Sequence, residues 1–295
     1  MANISFIGAG KAAYSISKCL ADAGYSIKSI ISRSVHSAKD LAGRFEGCKF
    51  STNYLDALAA DLIFISTGDE QIGQVAAAIA KQETDLSGKL FVHLSGVNNI
   101  DELKPLAEKG GETASLHIMQ TFPSKKFINL TGSYASVETG NEETAKKIFE
   151  IAENAGLKPF RISSEMKVFY HLAGVFASNM IVGDYSNAQN MFAVSWEGDI
   201  NPAEILKPIM QRTIDNLTTK GIAASLSGPV ERGDLQTIEK HIEHLRDNKL
   251  VRLNYISGSL NLLEIAFKKG SIDRQKFEII RYYLRDELKK TAAEF

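Results

Sequence analysis

The first two dozen residues limit the fold more than any other stretch. Asn3 to Ile7 is a short apolar run rich in β-formers, which predicts a buried strand. Gly8-Ala9-Gly10-Lys11-Ala12-Ala13 follows directly, and a helical pattern through Tyr14, Ile16 and Leu20 stops at Gly24. Strand, glycine turn and helix in that order can receive a dinucleotide pyrophosphate. The first glycine permits the tight turn, and the second has no Cβ to obstruct the phosphates. Ala13 lets the helix lie close on the strand, and the free N–H groups of the first helical turn face the anion. The six residues Gly8 to Ala13 are therefore candidate cofactor contacts. A glycine turn that merely joins a strand to a helix is the plainer alternative.

Residues 25–31 predict a second strand, followed by Ser32-Arg33-Ser34. Where NAD is bound, an acidic residue near this point takes the adenosine ribose. No acidic residue stands between Asp22 and Asp40. Arg33 flanked by Ser32 and Ser34 suits a 2′-phosphate instead, because a guanidinium forks onto phosphate and serines add hydrogen bonds. NADP is thus expected rather than NAD; the alternative for Arg33 is a solvated loop arginine.

Further strand signals fall at 49–51, 61–67 and 89–96, in a short strand that runs into a Pro-ended loop over 114–123, and at 134–137 and 157–162, separated by helical patterns at 38–45, 55–60, from the Asp69 cap through Ile79, and at 142–155. Such alternation predicts an α/β domain, a doubly wound and mostly parallel sheet covered on both faces. Thr67, Gly68, Asp69 and Ile72 follow the strongest strand, and Ser95 and Gly96 follow the next. Both groups lie where cofactors approach, although Asp69 also suits a helix N-cap. Beyond residue 163 only helical patterns remain, at 165–185, 202–217, 235–250, 253–267 and 274–290. Two domains are expected, 1–162 for the nucleotide and 163–295 for an all-helical partner.

A formal net charge of −1 argues against a general nucleic-acid or membrane-surface binder. The two cysteines, Cys19 and Cys48, form no C-x-x-C pair, and neither a signal-peptide pattern nor a membrane-length apolar run is present. A cytoplasmic protein is expected, without metal or disulfide framework.

Chemistry is expected first on the apolar segment 165–185. Lys167, His171, Gly174 and Ser178 share a helical stripe, with Asn179 about 80° round from His171. Buried polar groups in such a run need a ligand or partners. Lys167 and His171 could protonate a reduced carbonyl or imine, and Asn179 could orient it. The plainer readings are a lysine reaching solvent and a satisfied core histidine. His117 and Gln120 sit past a strand, where binding groups gather, or brace a loop. Ser95, Gln120 and Arg232 are candidate substrate contacts; Arg232 could meet a carboxylate or pair with Glu231, and Asp234 should cap the next helix. His241 and His244, with Glu243 beside them, suggest a metal, but no further ligand stands at a persuasive spacing.

Gly8-x-Gly10, Ser32-Arg33-Ser34, Val92-His-Leu-Ser-Gly96, Leu116-His-Ile-Met-Gln-Thr-Phe122, Tyr170-His171 through Ser178-Asn179, and Ser227-Gly-Pro-Val-Glu-Arg-Gly-Asp234 with His241 give the chain a resemblance that covers nearly its whole length. It resembles Rossmann-like oxidoreductases whose C-terminal half is known as a domain of unknown function. More distantly it is similar to ketopantoate reductase, pyrroline-5-carboxylate reductase and the β-hydroxyacid dehydrogenases. The resemblance implies NADP binding and a helical domain of the 6-phosphogluconate dehydrogenase C-terminal type. It further implies dimerisation through the helices and an active site in the interdomain cleft. The β-hydroxyacid dehydrogenases carry Lys-x-x-x-Asn on the first long helix, where this chain has Lys167-x-x-x-His171 and a later Asn179.

The expected function is reduction of a small carbonyl or imine by NADPH, with ketopantoate-like 2-oxo acids as the first substrates to try. The alternative is a non-catalytic NADP(H)-binding sensor, since fold does not guarantee chemistry.

Overall fold

The computed structural model describes residues 2–82, 85–195 and 198–295. The chain divides into two compact units, Met1–Ile181 and Val182–Phe295.

The first unit contains strands β1 (Asn3–Ile7), β2 (Ser26–Ile31), β3 (Lys49–Ser51), β4 (Leu62–Ile65), β5 (Leu90–His93), β6 (Glu112–Ile118), β7 (Tyr134–Glu138) and β8 (Lys158–Arg161). Among the described residues these form one eight-stranded sheet in the order β3-β2-β1-β4-β5-β6-β7-β8. Only β6 and β7 run antiparallel. The strand order reverses between β1 and β4, which pair in parallel from Ile4–Leu62 to Ile7–Ile65. In a doubly wound sheet this reversal opens a crevice at the carboxyl ends of the strands.

Helices α1 (Lys11–Asp22), α2 (Val35–Ala42), α3 (Ile72–Ala80), α4 (Lys104–Ala107), α5 (Glu142–Asn154) and α6 (Ser164–Gly174) belong to the same unit. Central strands are apolar on both faces because both are covered. Ile4, Phe6, Phe64 and Val92 pack with α1, α2 and α5, the Phe6 and Phe64 rings stacking with centroids 5.0 Å apart. Ile7, Ile63, Ile65 and Phe91 pack on the other face with α3 and α4. Each large side chain so buried contributes ~1.5–3 kcal/mol. Helix α1 lays Ala13, Tyr14, Ile16 and Leu20 on the sheet. It ends at Gly24, whose φ of 90° lets its N–H return to the Ala21 carbonyl.

Helix α6 runs through a π-helical turn, Val175–Asn179, into α7 (Met180–Ser195). Then follow α8 (Pro202–Lys220), α9 (Ile222–Ser225), α10 (Pro229–Arg232), α11 (Leu235–His244), α12 (Lys249–Lys269) and α13 (Arg274–Ala293). In the second unit α12 and α13 bury Ile256, Leu263, Phe277, Ile280 and Leu284 with Ile238 and Ile242 of α11. Arg252, almost wholly buried, is held by Glu287 at 2.9 Å and Glu294 at 3.3 Å.

Several elements differ in detail from the pattern in the sequence. The helix expected at 55–60 is a 3-10 turn, Tyr54–Ala59, which Asn53 caps with its side chain. The run 235–250 breaks after His244, because Asn248 accepts the Val251 N–H and starts α12. Residue 162 marks the end of the strands, whereas the first compact unit continues through α6 to Ile181.

Candidate functional site

Two features stand side by side in the first unit. The first is a cleft of about 490 Å³ at the strand-order reversal, formed by the residues that follow β1, β2 and β4. Gly8 sits in its floor with φ 116°; a Cβ there would lie 2.5 Å from the Ser66 carbonyl carbon, so no other residue fits. Its N–H donates to the Ile31 carbonyl, tying the turn to β2. Gly10 is the N-cap of α1 and brings no side chain to the free N–H groups there. Of the expected cofactor residues, Gly8, Ala9, Gly10, Ser32, Arg33, Thr67 and Gly68 line the cleft. Arg33 is exposed, and its Nη2 donates to Gln71 Oε1 at 3.1 Å.

The others stand elsewhere. Lys11 and Ala12 turn along α1 outside the lining, and Ala13 is buried beneath the helix. Ser34 caps α2, accepting the Ser37 N–H. Ile72 is buried against the sheet with α3. Asp69 is no cap: Gly68 precedes the 3-10 turn Asp69–Gln71, and the Asp69 carbonyl receives the Asn98 amide. Ser95 is buried, its Oγ taken by the Val97 and Asn98 N–H groups. The lining also includes Ser37, Gln71 and Lys125, which no local pattern marked.

The second feature is a polar cluster where β5, β6 and β7 meet α6. Lys167, expected to be solvated or to face a ligand, is fully buried. Its Nζ donates to Ser115 Oγ and pairs with Glu138 Oε2 at 3.1 Å. Glu138 Oε1 accepts Ser164 Oγ at 2.6 Å and the Ile100 N–H at 3.3 Å. Burial lowers the Lys167 pKa, while Glu138 and then Asp69 oppose that shift. Sequence reasoning missed Glu138; its one signal is a carboxylate directly after the apolar Ala135-Ser-Val137 of β7.

His117, half-buried on β6, has its ring centroid 5.9 Å from that of His171 and 5.5 Å from that of Tyr170. Its Nδ1 is buried without a hydrogen-bond partner. Burial first, then the charges of His171 and Lys167, push His117 down to about 4. His93, wholly buried, accepts the Ser95 N–H at Nδ1 and so donates from Nε2 to the Asn99 carbonyl. Burial and then Lys167 lower it to about 3. Gly96 lies against both outer rings: a Cβ on it would meet His117 Nε2 and His171 Cδ2 at 2.7 Å.

Asn179 is exposed at the end of the π turn, contrary to the burial expected of that run. The apolar residues around it are exposed too, so the run 165–185 is apolar without being core. Gln120 braces its loop, accepting the Thr121 N–H at 2.8 Å. In the second unit Arg232 is exposed on α10, and Glu231 pairs with Lys269 at 2.9 Å and accepts Ser271 Oγ. Asp234 caps α11 through the Thr237 N–H. His241 meets Tyr255 and His244 the Lys240 carbonyl, and among the described residues no cluster could hold a metal ion.

Comparison with known proteins matches residues 2–118 to a Rossmann-like domain and residues 133–261 to a domain of unknown function, DUF2520. The chain carries both domains in tandem. Its structure is similar to that of a proposed NADP oxidoreductase from Bacteroides fragilis, with 22% identity, a TM-score of 0.76, and 89% of this chain and 98% of the other covered. Protein TM1727 from Thermotoga maritima is 27% identical over 90% of this chain and 99% of the other, with a TM-score of 0.66. A reductive aminase from Aspergillus terreus, solved with NADPH and ethyl-5-oxohexanoate, shares 13% identity and a TM-score of 0.59 over 98% of this chain and 94% of its own. No curated protein matches.

Proposed function

We propose that the chain is an NADP-dependent oxidoreductase that reduces a small carbonyl or imine, with ketopantoate-like 2-oxo acids as the first candidates. The observation that carries this reading is the cleft at the strand reversal, with Arg33 at the end of β2 where an NAD site would hold a carboxylate. The residues present fit the cofactor. Gly8 leaves a cradle that a Cβ would fill, and Thr67 Oγ1 is buried at the lining without a partner. The Bacteroides and Aspergillus relatives, named for NADP or solved with NADPH, support it.

When bound, NADPH supplies the hydride that such a reduction needs. Gly8, Ala9 and Gly10 offer backbone to the pyrophosphate, and Ser32 and Arg33 take the 2′-phosphate. His171, half-exposed beside Gly96, protonates the nascent alkoxide or amine. His117 is neutral at pH 7 and offers a ring N–H as a hydrogen bond to the substrate heteroatom. Lys167 is sealed from solvent, so it acts by position, joining α6 to β6 and β7 beneath His117. Cys19 and Cys48 are free, with burial raising both thiols, in keeping with a reducing cytoplasm. The apolar side chains exposed on α6 and the π turn, Phe169 and Phe176 foremost, fit a homodimer through the helices.

The test is NADPH oxidation against a panel of 2-oxo acids and cyclic imines. His171→Ala should lower turnover at least ~100-fold while NADPH affinity stays unchanged. Tight NADPH binding with no oxidation on any panel member would favour a sensor of the NADPH pool.

A further inference from the structure

The loop between β6 and β7 contributes a cation to the wall of the cleft that lies far in sequence from Ser32-Arg33-Ser34. Lys125 is exposed at the lining, with Nζ 3.1 Å from Ser37 Oγ in the first turn of α2. Its position is fixed by what surrounds it. Ser15 of α1, wholly buried, accepts the Ile128 N–H at 3.1 Å and donates to the Lys126 carbonyl at 3.3 Å. Leu130 is fully buried, and Phe127 packs near the Tyr14 ring with centroids 6.3 Å apart. The backbone on the C-terminal side of Lys125 is thus bolted to α1.

Helix α2 has no acidic residue in its first turn, where the helix dipole favours negative charge. Lys125 stands at that end through Ser37, and Arg33, just before the Ser34 cap, reaches Gln71; among the described residues neither has a carboxylate within 4.0 Å. The nearby carboxylate of Asp40 feels the charge of Lys125 but makes its contacts with the Tyr14 hydroxyl and Arg44. Two cations and a helix N-terminus border one cleft sized for a ligand.

We propose that Lys125 is the second cation for the 2′-phosphate of the cofactor, so that preference for NADPH over NADH is set jointly by the end of β2 and the β6–β7 loop. This rests on the reading of the cleft as an NADP site. Ser37 then orients the ammonium while Arg33 closes from the other side.

Calorimetric titration of the full chain with NADPH, NADH, adenosine 2′,5′-bisphosphate and AMP tests it. Lys125→Ala should weaken NADPH and the bisphosphate roughly tenfold or more, leave NADH and AMP unchanged, and be rescued by Lys125→Arg. Unchanged NADPH affinity in Lys125→Ala overturns the proposal, as does an equal loss for both nucleotides. Preference of the wild-type chain for NADPH in that same result shows the cofactor reading intact. A wild-type chain that takes up neither nucleotide overturns both.

Discussion

Lys167 and Glu138 show how a single residue's role depends on a partner in another element. A fully buried ammonium is tolerable because Glu138 and Ser115 meet it, and removing one partner leaves an uncompensated charge in the interior. Glu138→Gln should therefore destabilise the chain by ~3–5 kcal/mol in urea melts, whereas the double change Lys167→Met with Glu138→Leu should recover most of that loss. Equal losses in the single and double variants would contradict the pairing. His93 and His117 supply the pH dependence. Their folded pKa values, about 3 and about 4, lie below the ordinary value near 6.5. Below about 6.5 the unfolded chain binds these protons more tightly, so stability is full above that pH and declines as the pH falls towards 4. Each histidine contributes up to ~1.4 kcal/mol per pH unit in that window. Urea midpoints should fall between pH 7 and pH 5, with a shallower slope in His93→Gln; a flat profile would contradict the burial of these rings. Sequence alone left Lys167 and His171 open between solvent, core and ligand. The deciding partners, Glu138 and Ser115, lie on strands whose pairing no local pattern reveals.

At the scale of elements, the glycines separate turns that cannot change from contacts that can. Gly8→Ala would drive a Cβ into the Ser66 backbone at a φ of 116°, so β1, β4 and α1 would have to move. Gly174→Ala meets only Met119 Sδ at 2.7 Å, on a flexible side chain. Gly8→Ala should abolish nucleotide binding and lower the melting temperature by many degrees, while Gly174→Ala should shift it by only a few. Gly96→Ala displaces His117 and His171 and should reduce turnover more than tenfold with NADPH affinity intact. Comparable losses in both affinity and turnover would separate Gly96 from the chemistry. The opening strand–turn–helix was readable because every residue that defines it lies within two dozen positions. The 3-10 turn at Tyr54 and the break before Asn248 were not, since capping decided both.

For the whole molecule, alternating strand and helix signals sufficed for the sheet, and its order, with the reversal between β1 and β4, places the cleft. What periodicity could not distinguish was an apolar helix buried within its own chain from one left open. Phe169 and Phe176 are 67% and 68% exposed, so this apolar segment presents its rings outward. A second copy of the chain is the proposed cover. Light scattering should give a dimer for the wild type and a monomer for Phe176→Glu; a monomeric wild type would contradict the assignment. No helix among the described residues is long and apolar enough to cross a membrane. The claim on which the account turns is that a pyridine dinucleotide lies on the turn from Gly8 to Gly10. Fluorescence titration of NADPH measures it most directly: one saturable site per chain is predicted, lost in Gly8→Val, and no change in nicotinamide emission with the intact protein would contradict it.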